Sequence, residues 1–169
     1  MKRLLLLLFV LAQWIVSANG QEVFTYHALG APVILYRDSE LTMPGAVLFP
    51  QYEEYLSARE YPEWMVGYIV HIIDEQESCF LLAFGGLFFY IKKGEVAINT
   101  RNYDGLDMLL FERPDKSSRS FSIGTEERTL RIYGRYKGWL LTRLYIQGRI
   151  MEGWLPIEMA CGNPFTPCC

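Results

Sequence analysis

A basic strip occupies the later part of the chain. Residues 111–150 carry nine bases and four acids, whereas residues 21–110 carry five bases and thirteen acids. Arg side chains form paired hydrogen bonds with carboxylates, so such a strip predicts an anion-binding surface. The alternative interpretation is an internal attraction between an acidic and a basic part of the molecule. The strip consists of Arg128, Arg131, Arg135, Lys137 and Arg143.

Tyrosines are interleaved with these bases. An aromatic ring can stack on an apolar or planar part of a ligand while a neighbouring Arg pairs with the ligand's carboxylate. The sequence therefore predicts a ligand-binding surface near one hairpin. Its expected members are Tyr133, Arg135, Tyr136, Arg143 and Tyr145.

The sequence has four cysteines, at positions 79, 161, 168 and 169, which predict disulfides once the chain reaches an oxidising compartment. A bridge from Cys161 to Cys168 or Cys169 would close a short loop and hold the C-terminus. The remaining terminal cysteine would then pair with Cys79. The spacing lacks the Cys-x-x-Cys pattern of structural zinc, so we expect no metal site.

Catalytic signatures are absent from the sequence. It has two histidines, and His71 lies within an apolar run, while His27 lies near the predicted mature N-terminus. There is no Gly-x-Ser-x-Gly elbow, phosphate loop or dinucleotide fingerprint. Acidic pairs such as Glu53-Glu54 are expected to be solvated turn residues rather than an acid/base pair. We therefore predict no enzyme activity and no cofactor; a small hydrolase is the remaining alternative.

The N-terminus has the features of a secretory signal peptide. Lys2 and Arg3 precede an apolar run over 4–16, and small residues follow, with possible cleavage after Ala18 or after Gly20. The run is too short for a transmembrane helix. The chain is thus expected to be exported to the periplasm or the extracellular space, without a transmembrane anchor. Its mild acidity also argues against nucleic-acid binding.

Short apolar, β-branched and aromatic runs separated by Gly and Pro predict an all-β fold. The chain also matches itself at an offset of 75 residues, which aligns 33–36 with 108–111 and Trp64 with Trp139. The first copy then contains extra residues around the polar segment 74–78. Two similar β units in tandem are the expected organisation.

The second unit contains a Lys-Gly-Trp step at 137–139 and a Gly-Trp-Leu step at 153–155, which follows a short hairpin at 147–149. With these motifs it resembles the bacterial SH3-like family, small β-barrels found in exported and cell-wall-associated proteins. The resemblance covers residues 107–158. The first unit departs from the pattern, since Phe-Tyr-Ile at 89–91 replaces the Gly-Trp-aliphatic step.

The resemblance implies two tandem small SH3-like β-barrels packed together. Their expected bounds are 21–104, with an insertion near 70–80, and 105–169, with a Cys-rich tail. It further implies an exported, non-enzymatic binding or adaptor module for a peptide or peptidoglycan fragment in the bacterial envelope. The alternative is a protein-inhibitor or immunity-type partner whose acidic first unit blocks another exported protein.

Overall fold

The computed structural model describes residues 20–52, 65–101, 105–146 and 148–162, so nearly all of the predicted leader lies outside the described residues. Within them the chain is all-β, as predicted, with two short 3-10 turns at Ala28–Gly30 and Ile157–Met159. The strands are β1 Gln21–Thr25, β2 Val33–Tyr36, β3 Pro44–Leu48, β4 Gln51–Tyr52, β5 Met65–Val66, β6 Ile69–Glu75, β7 Cys79–Phe84, β8 Leu87–Lys92, β9 Val96–Thr100, β10 Leu109–Phe111, β11 Ser120–Ser122, β12 Thr129–Tyr136, β13 Trp139–Ile146, β14 Arg149–Pro156 and β15 Ala160–Cys161.

Thirteen of these strands form one antiparallel sheet, and β4 and β5 form a separate pair. The strand order is β11-β10-β14-β13-β12-β9-β1-β6-β7-β8-β2-β3, and β15 pairs with β9 outside this path. The sheet is open, since its path ends at β3 and β11. The structure therefore has one continuous open sheet in place of the expected pair of closed barrels.

Strand pairing follows the same pattern in the two halves of the chain. In the first half, β1 pairs with the meander β6–β7–β8, and β2 of the β2–β3 hairpin contacts β8 through Tyr36 and Tyr90. In the second half, β9 pairs with the meander β12–β13–β14, and β10 of the β10–β11 hairpin contacts β14 through Phe111 and Trp154. Tyr36 and Phe111 are 75 residues apart, which agrees with the offset in the sequence.

Strand β9 joins the two patterns. It pairs with β1 through Phe24 and Ala97, with β12 through Leu130 and Ile98, and with β15 through Ala160. It is thus the last strand of the first pattern and the first strand of the second. Because one strand serves both, the sheet continues across the expected boundary between 104 and 105.

The alignment of the two tryptophans differs from the strand pairing. Trp139 begins β13 opposite Pro156, and the equivalent position at the start of β7 is Cys79, opposite Lys92. Trp64 lies outside the described residues. Equivalent strand starts need not carry the same residue type, because each side chain only has to suit its own surroundings. Matching one tryptophan to another in the sequence therefore did not identify Cys79 as the position equivalent to Trp139.

The extra length of the first half also lies elsewhere than predicted. Residues 74–79 form the end of the β6–β7 hairpin, equivalent to the β12–β13 turn at 136–139. The longer connection runs from β3 to β6, over residues 49–68, against 123–128 between β11 and β12. The expectation of an insertion near 70–80 is corrected accordingly. The hairpin predicted at 147–149 is confirmed, because Ile146 pairs with Arg149.

Side chains alternate between a buried and an exposed face along each strand, as a half-buried sheet requires. Leu130 and Ile132 of β12 are buried, whereas Arg131 and Tyr133 lie on the outer face. Large apolar residues of both halves, with β9 between them, form a single core. Each fully buried side chain of this size stabilises the fold by about 1.5–3 kcal/mol. The core therefore holds the outer face of β12–β14 in a fixed register.

Candidate functional site

The predicted ligand-binding residues divide between two grooves. Tyr133, Arg143 and Tyr145 line a groove of about 620 Å³ on the outer face of the second meander. Arg135 and Tyr136 line another, of about 550 Å³, at the end of the β12–β13 hairpin. The first is called the arginine–tyrosine groove below. Its principal residues are Tyr26, Arg131, Tyr133, Arg143, Tyr145 and Ile150.

Arg131 is held rigidly at one wall of the arginine–tyrosine groove. Its Nε donates to the carbonyl of Gly94 at 2.6 Å. Its guanidinium carbon lies 4.9 Å from the ring centroid of Tyr26 and 5.9 Å from that of Tyr133. Cation–π contacts of this kind contribute about 0.5–2 kcal/mol. The guanidinium plane is thus fixed by groups from both halves of the chain.

Gly94 gives the Tyr133 ring room to pack. A Cβ at Gly94 would lie 2.7 Å from the Tyr133 hydroxyl oxygen, and its φ is +81°, a region that disfavours other residues. Nearby, burial raises the pKa of the Glu95 carboxyl, against the opposing charges of Lys92 and Arg131. The turn between β8 and β9 therefore packs against Tyr133, one of the residues that line the groove.

Arg143 lies directly across the strand pair from Arg131. Its guanidinium carbon is 4.1 Å from the Tyr133 ring centroid, and its Nε donates to the carboxylate of Glu152 on β14. This hydrogen bond to Glu152 is the main reason that the Arg143 pKa is raised. Two like charges directly opposite each other destabilise a sheet. Glu152 pairs with Arg143, whereas Arg131 interacts electrostatically with the Glu95 carboxyl, whose pKa burial raises. Because a raised pKa disfavours the carboxylate form of Glu95, Arg131 is the less compensated cation of the row and suits an anion.

Arg135 has a different environment from the one predicted. Its Nη1 donates to the Ile72 carbonyl at 3.0 Å, and its Nη2 donates to the Ile73 carbonyl. Its backbone N–H donates to Glu75 Oε2 at 2.7 Å, and Glu75 Oε1 accepts from Lys93 at 2.6 Å. Arg135 thus links β6 and β12, the internal role that was the alternative interpretation of the strip.

Comparison with known proteins gave no match. No family model, no curated protein and no solved structure matches the chain. In the part of the chain that the structure describes, no helix has the length and apolar character to cross a membrane, and no group of acidic, His or Cys residues could hold a metal ion. The groove is therefore interpreted from its own geometry.

Sequence reasoning missed the pairing of Arg131 with Arg143 and the contribution of Tyr26. Counted from the Lys137–Gly138 turn, a regular hairpin would place Ile132 opposite Arg143. A β-bulge between Ile132 and Gly134 shifts the register by one residue and brings Arg131 there instead. Tyr26 enters from the end of β1, far away in sequence, and no local pattern signals its position.

A threonine and a histidine near the end of β1 have hydrogen bonds like those of a nucleophile and its base. Thr25 Oγ1 is 2.9 Å from His27 Nε2, and His27 Nδ1 is 3.0 Å from the Ala31 carbonyl. Thr25 is only 1% exposed, however, and its Oγ1 accepts the backbone N–H of Tyr68. The pair therefore fixes the chain where β1 ends.

At His71, Nδ1 is buried and has no hydrogen-bond partner within the described residues.

The cysteines fall on both sides of the described boundary. Cys79 is fully buried and carries a free thiol, whose Sγ lies 3.5 Å from the Ser39 carbonyl. The expected bridge from Cys79 to the tail is therefore not formed, because the thiol packs inside the first half. Cys161 is buried at the end of β15. Cys168 and Cys169 lie outside the described residues, so the bridge from Cys161 to one of them stays a prediction.

Proposed function

We propose that the chain is an exported, non-enzymatic binding or adaptor module of two tandem SH3-like units, which binds a peptide or peptidoglycan fragment in the bacterial envelope or outside the cell. The repeated strand pairing supports two related units. The resemblance of residues 107–158 supports their SH3-like character, with the shared strand β9 as a departure from two independent barrels.

The observation that carries the proposal is the facing pair Arg131 and Arg143 in a tyrosine-lined groove. Both guanidinium groups are oriented by a hydrogen bond and by ring contacts, so little freedom is lost when an anion binds. A hydrogen bond to a charged group contributes about 1.5–3 kcal/mol. A carboxylate bound here would also relieve the repulsion between the two arginines.

Retention of the exported protein on purified cell walls tests this function. Arg143→Gln should lower retention severalfold, because it removes one of the two facing cations. Arg149→Gln is the matched control, since Arg149 lies on the adjacent β14, is exposed and does not line the groove. Arg143→Gln also leaves Glu152 without its partner, and this unpaired acid could itself repel an anionic ligand. The double variant Arg143→Gln/Glu152→Gln removes that effect, and it should still bind poorly because the cation is missing. Equal retention of all four proteins would refute the proposal.

A protein-inhibitor or immunity-type function is the second candidate. The first half exposes apolar side chains, among them Val47 on β3 and Leu87 and Phe88 on β8. Exposed apolar side chains of this kind suit a protein partner, and the acidic first half suits a basic one. A pull-down from whole-cell protein extract tests it: loss of a captured protein in Phe88→Ser, with cell-wall retention unchanged, would support this candidate over the first.

A further inference from the structure

Side chains on the outer face of β12–β14 lie in two adjacent rows across the strands. Arg131, Arg143 and Glu152 form the first row. Two residues further along, Tyr145 and Ile150 are partners across β13 and β14, and they are 73% and 72% exposed. Rows separated by two residues lie about 7 Å apart. A charged row and an exposed apolar row are thus one side-chain length from each other.

The free edge of Arg131 points to the chemistry of the ligand. Its Nε is occupied by the Gly94 carbonyl, and the ring of Tyr26 limits the movement of the guanidinium plane. Its two Nη atoms have no hydrogen-bond partner among the described residues. The Nη1–Nη2 edge of a guanidinium matches the two oxygens of a carboxylate. A carboxylate is therefore preferred over a ligand with a single acceptor.

We infer that the groove binds the free C-terminal carboxylate of a peptide whose last side chain is apolar. This rests on the proposed function, because it places the ligand in the same groove. In a C-terminal residue the carboxylate and the side chain leave the same carbon, so the carboxylate reaches Arg131 while the side chain covers Tyr145 and Ile150. Glu127 also lines the groove and disfavours an acidic side chain there.

An internal Asp or Glu would fit less well. Its carboxylate lies at the end of the side chain, so the peptide backbone would have to continue past the charged row in both directions. On one side of that row Glu152 lies against Arg143, and on the other Tyr26 lies against Arg131. A chain that ends at the arginines avoids both groups.

Fluorescence titration of the full chain with short peptides tests the inference. Acetyl-glycyl-glycyl-leucine as the free acid should bind roughly 10- to 100-fold more tightly than its carboxamide, because the amide loses a charged hydrogen bond. Arg131→Lys keeps the charge but loses the two-pronged edge, and it should reduce this preference to a few-fold. Tyr145→Ala should remove the preference for leucine over glycine at the last position. Arg149→Gln should change neither.

Several results would overturn the inference. These are equal binding of acid and amide, equal binding of acetyl-glycyl-aspartyl-glycinamide, or competition by inorganic phosphate or octanoate at the concentration of the peptide. If one of these results is obtained while cell-wall retention still depends on Arg143, the inferred binding of a peptide C-terminus is wrong and the proposed function stands. If the unmodified protein binds neither the peptide nor purified cell walls, both the inference and the proposed function are refuted.

Discussion

Arg135 and Arg143 belong to the same basic strip, but Arg135 donates to backbone carbonyls of β6, whereas Arg143 lines the arginine–tyrosine groove. Arg135→Met removes the donors to the Ile72 and Ile73 carbonyls but keeps most of the apolar stem. Loss of these charge-assisted hydrogen bonds should lower the free energy of unfolding by about 2–4 kcal/mol. In a domain of this size that corresponds to a melting temperature lower by about 5–15 °C.

Arg143→Gln should behave in the opposite way. Arg143 is exposed, and its ion pair with Glu152 lies on the surface, where such pairs contribute about 1 kcal/mol or less. The melting temperature should therefore fall by only a few degrees, whereas cell-wall retention should fall severalfold. Below its melting temperature, the Arg135→Met protein should retain ligand binding.

Thermal unfolding and cell-wall retention measured on both variants separate these roles, with Arg149→Gln as the control for loss of one surface charge. The reasoning would be refuted if Arg135→Met melted like the unmodified protein, since its two carbonyl acceptors would then not need the guanidinium. It would equally be refuted if Arg143→Gln lost stability but kept full retention, because the strip would then be an internal counter-charge throughout.

Three further predictions concern backbone, pH and thiols. Gly94→Ala should destabilise the protein by about 1–3 kcal/mol more than Gly85→Ala in chemical denaturation, because both have positive φ but only the Gly94 Cβ meets Tyr133. Burial lowers the pKa of His27 below its ordinary 6.5, so the unfolded chain binds the proton more readily than the folded one. Stability should therefore fall as the pH drops below about 6.5. His27→Gln should weaken this pH dependence of the melting temperature, and an unchanged dependence would contradict the prediction. Non-reducing peptide mapping should show Cys161 linked to Cys168 or Cys169 and should leave Cys79 free. Cys79 should react slowly with an alkylating agent in the native protein, because burial raises the pKa of its thiol. Four free thiols in aerobically purified protein would contradict the predicted bridge.

Local signals predicted the strands well because each depends on a few neighbouring residues. The alternation in β12 and the hairpin at 147–149 follow directly from side-chain period and turn residues. The 75-residue offset correctly related Tyr36 to Phe111, since both contact the last strand of their meander. These features could be read from the sequence alone.

Long-range features could not be predicted in the same way. That β9 serves both patterns depends on pairing among strands distant in sequence. The bulge at Tyr133, which places Arg131 opposite Arg143, has no distinctive residue type to mark it. The role of Arg135 depends on carbonyls of β6 that a β-bulge exposes, more than sixty residues earlier in the chain. The basic strip was visible in the sequence, but the fold was required to show which of its members line the arginine–tyrosine groove and which donate to backbone carbonyls.

Binding of the intact exported protein to purified cell walls, compared between Arg143→Gln and Arg149→Gln, tests the arginine–tyrosine groove most directly. Each variant loses one exposed positive charge from the β13–β14 hairpin of the same sheet, so the change in net charge is matched. The account predicts severalfold weaker retention for Arg143→Gln and retention like that of the unmodified protein for Arg149→Gln, with added salt reducing the difference. Equal retention of the two variants would contradict it.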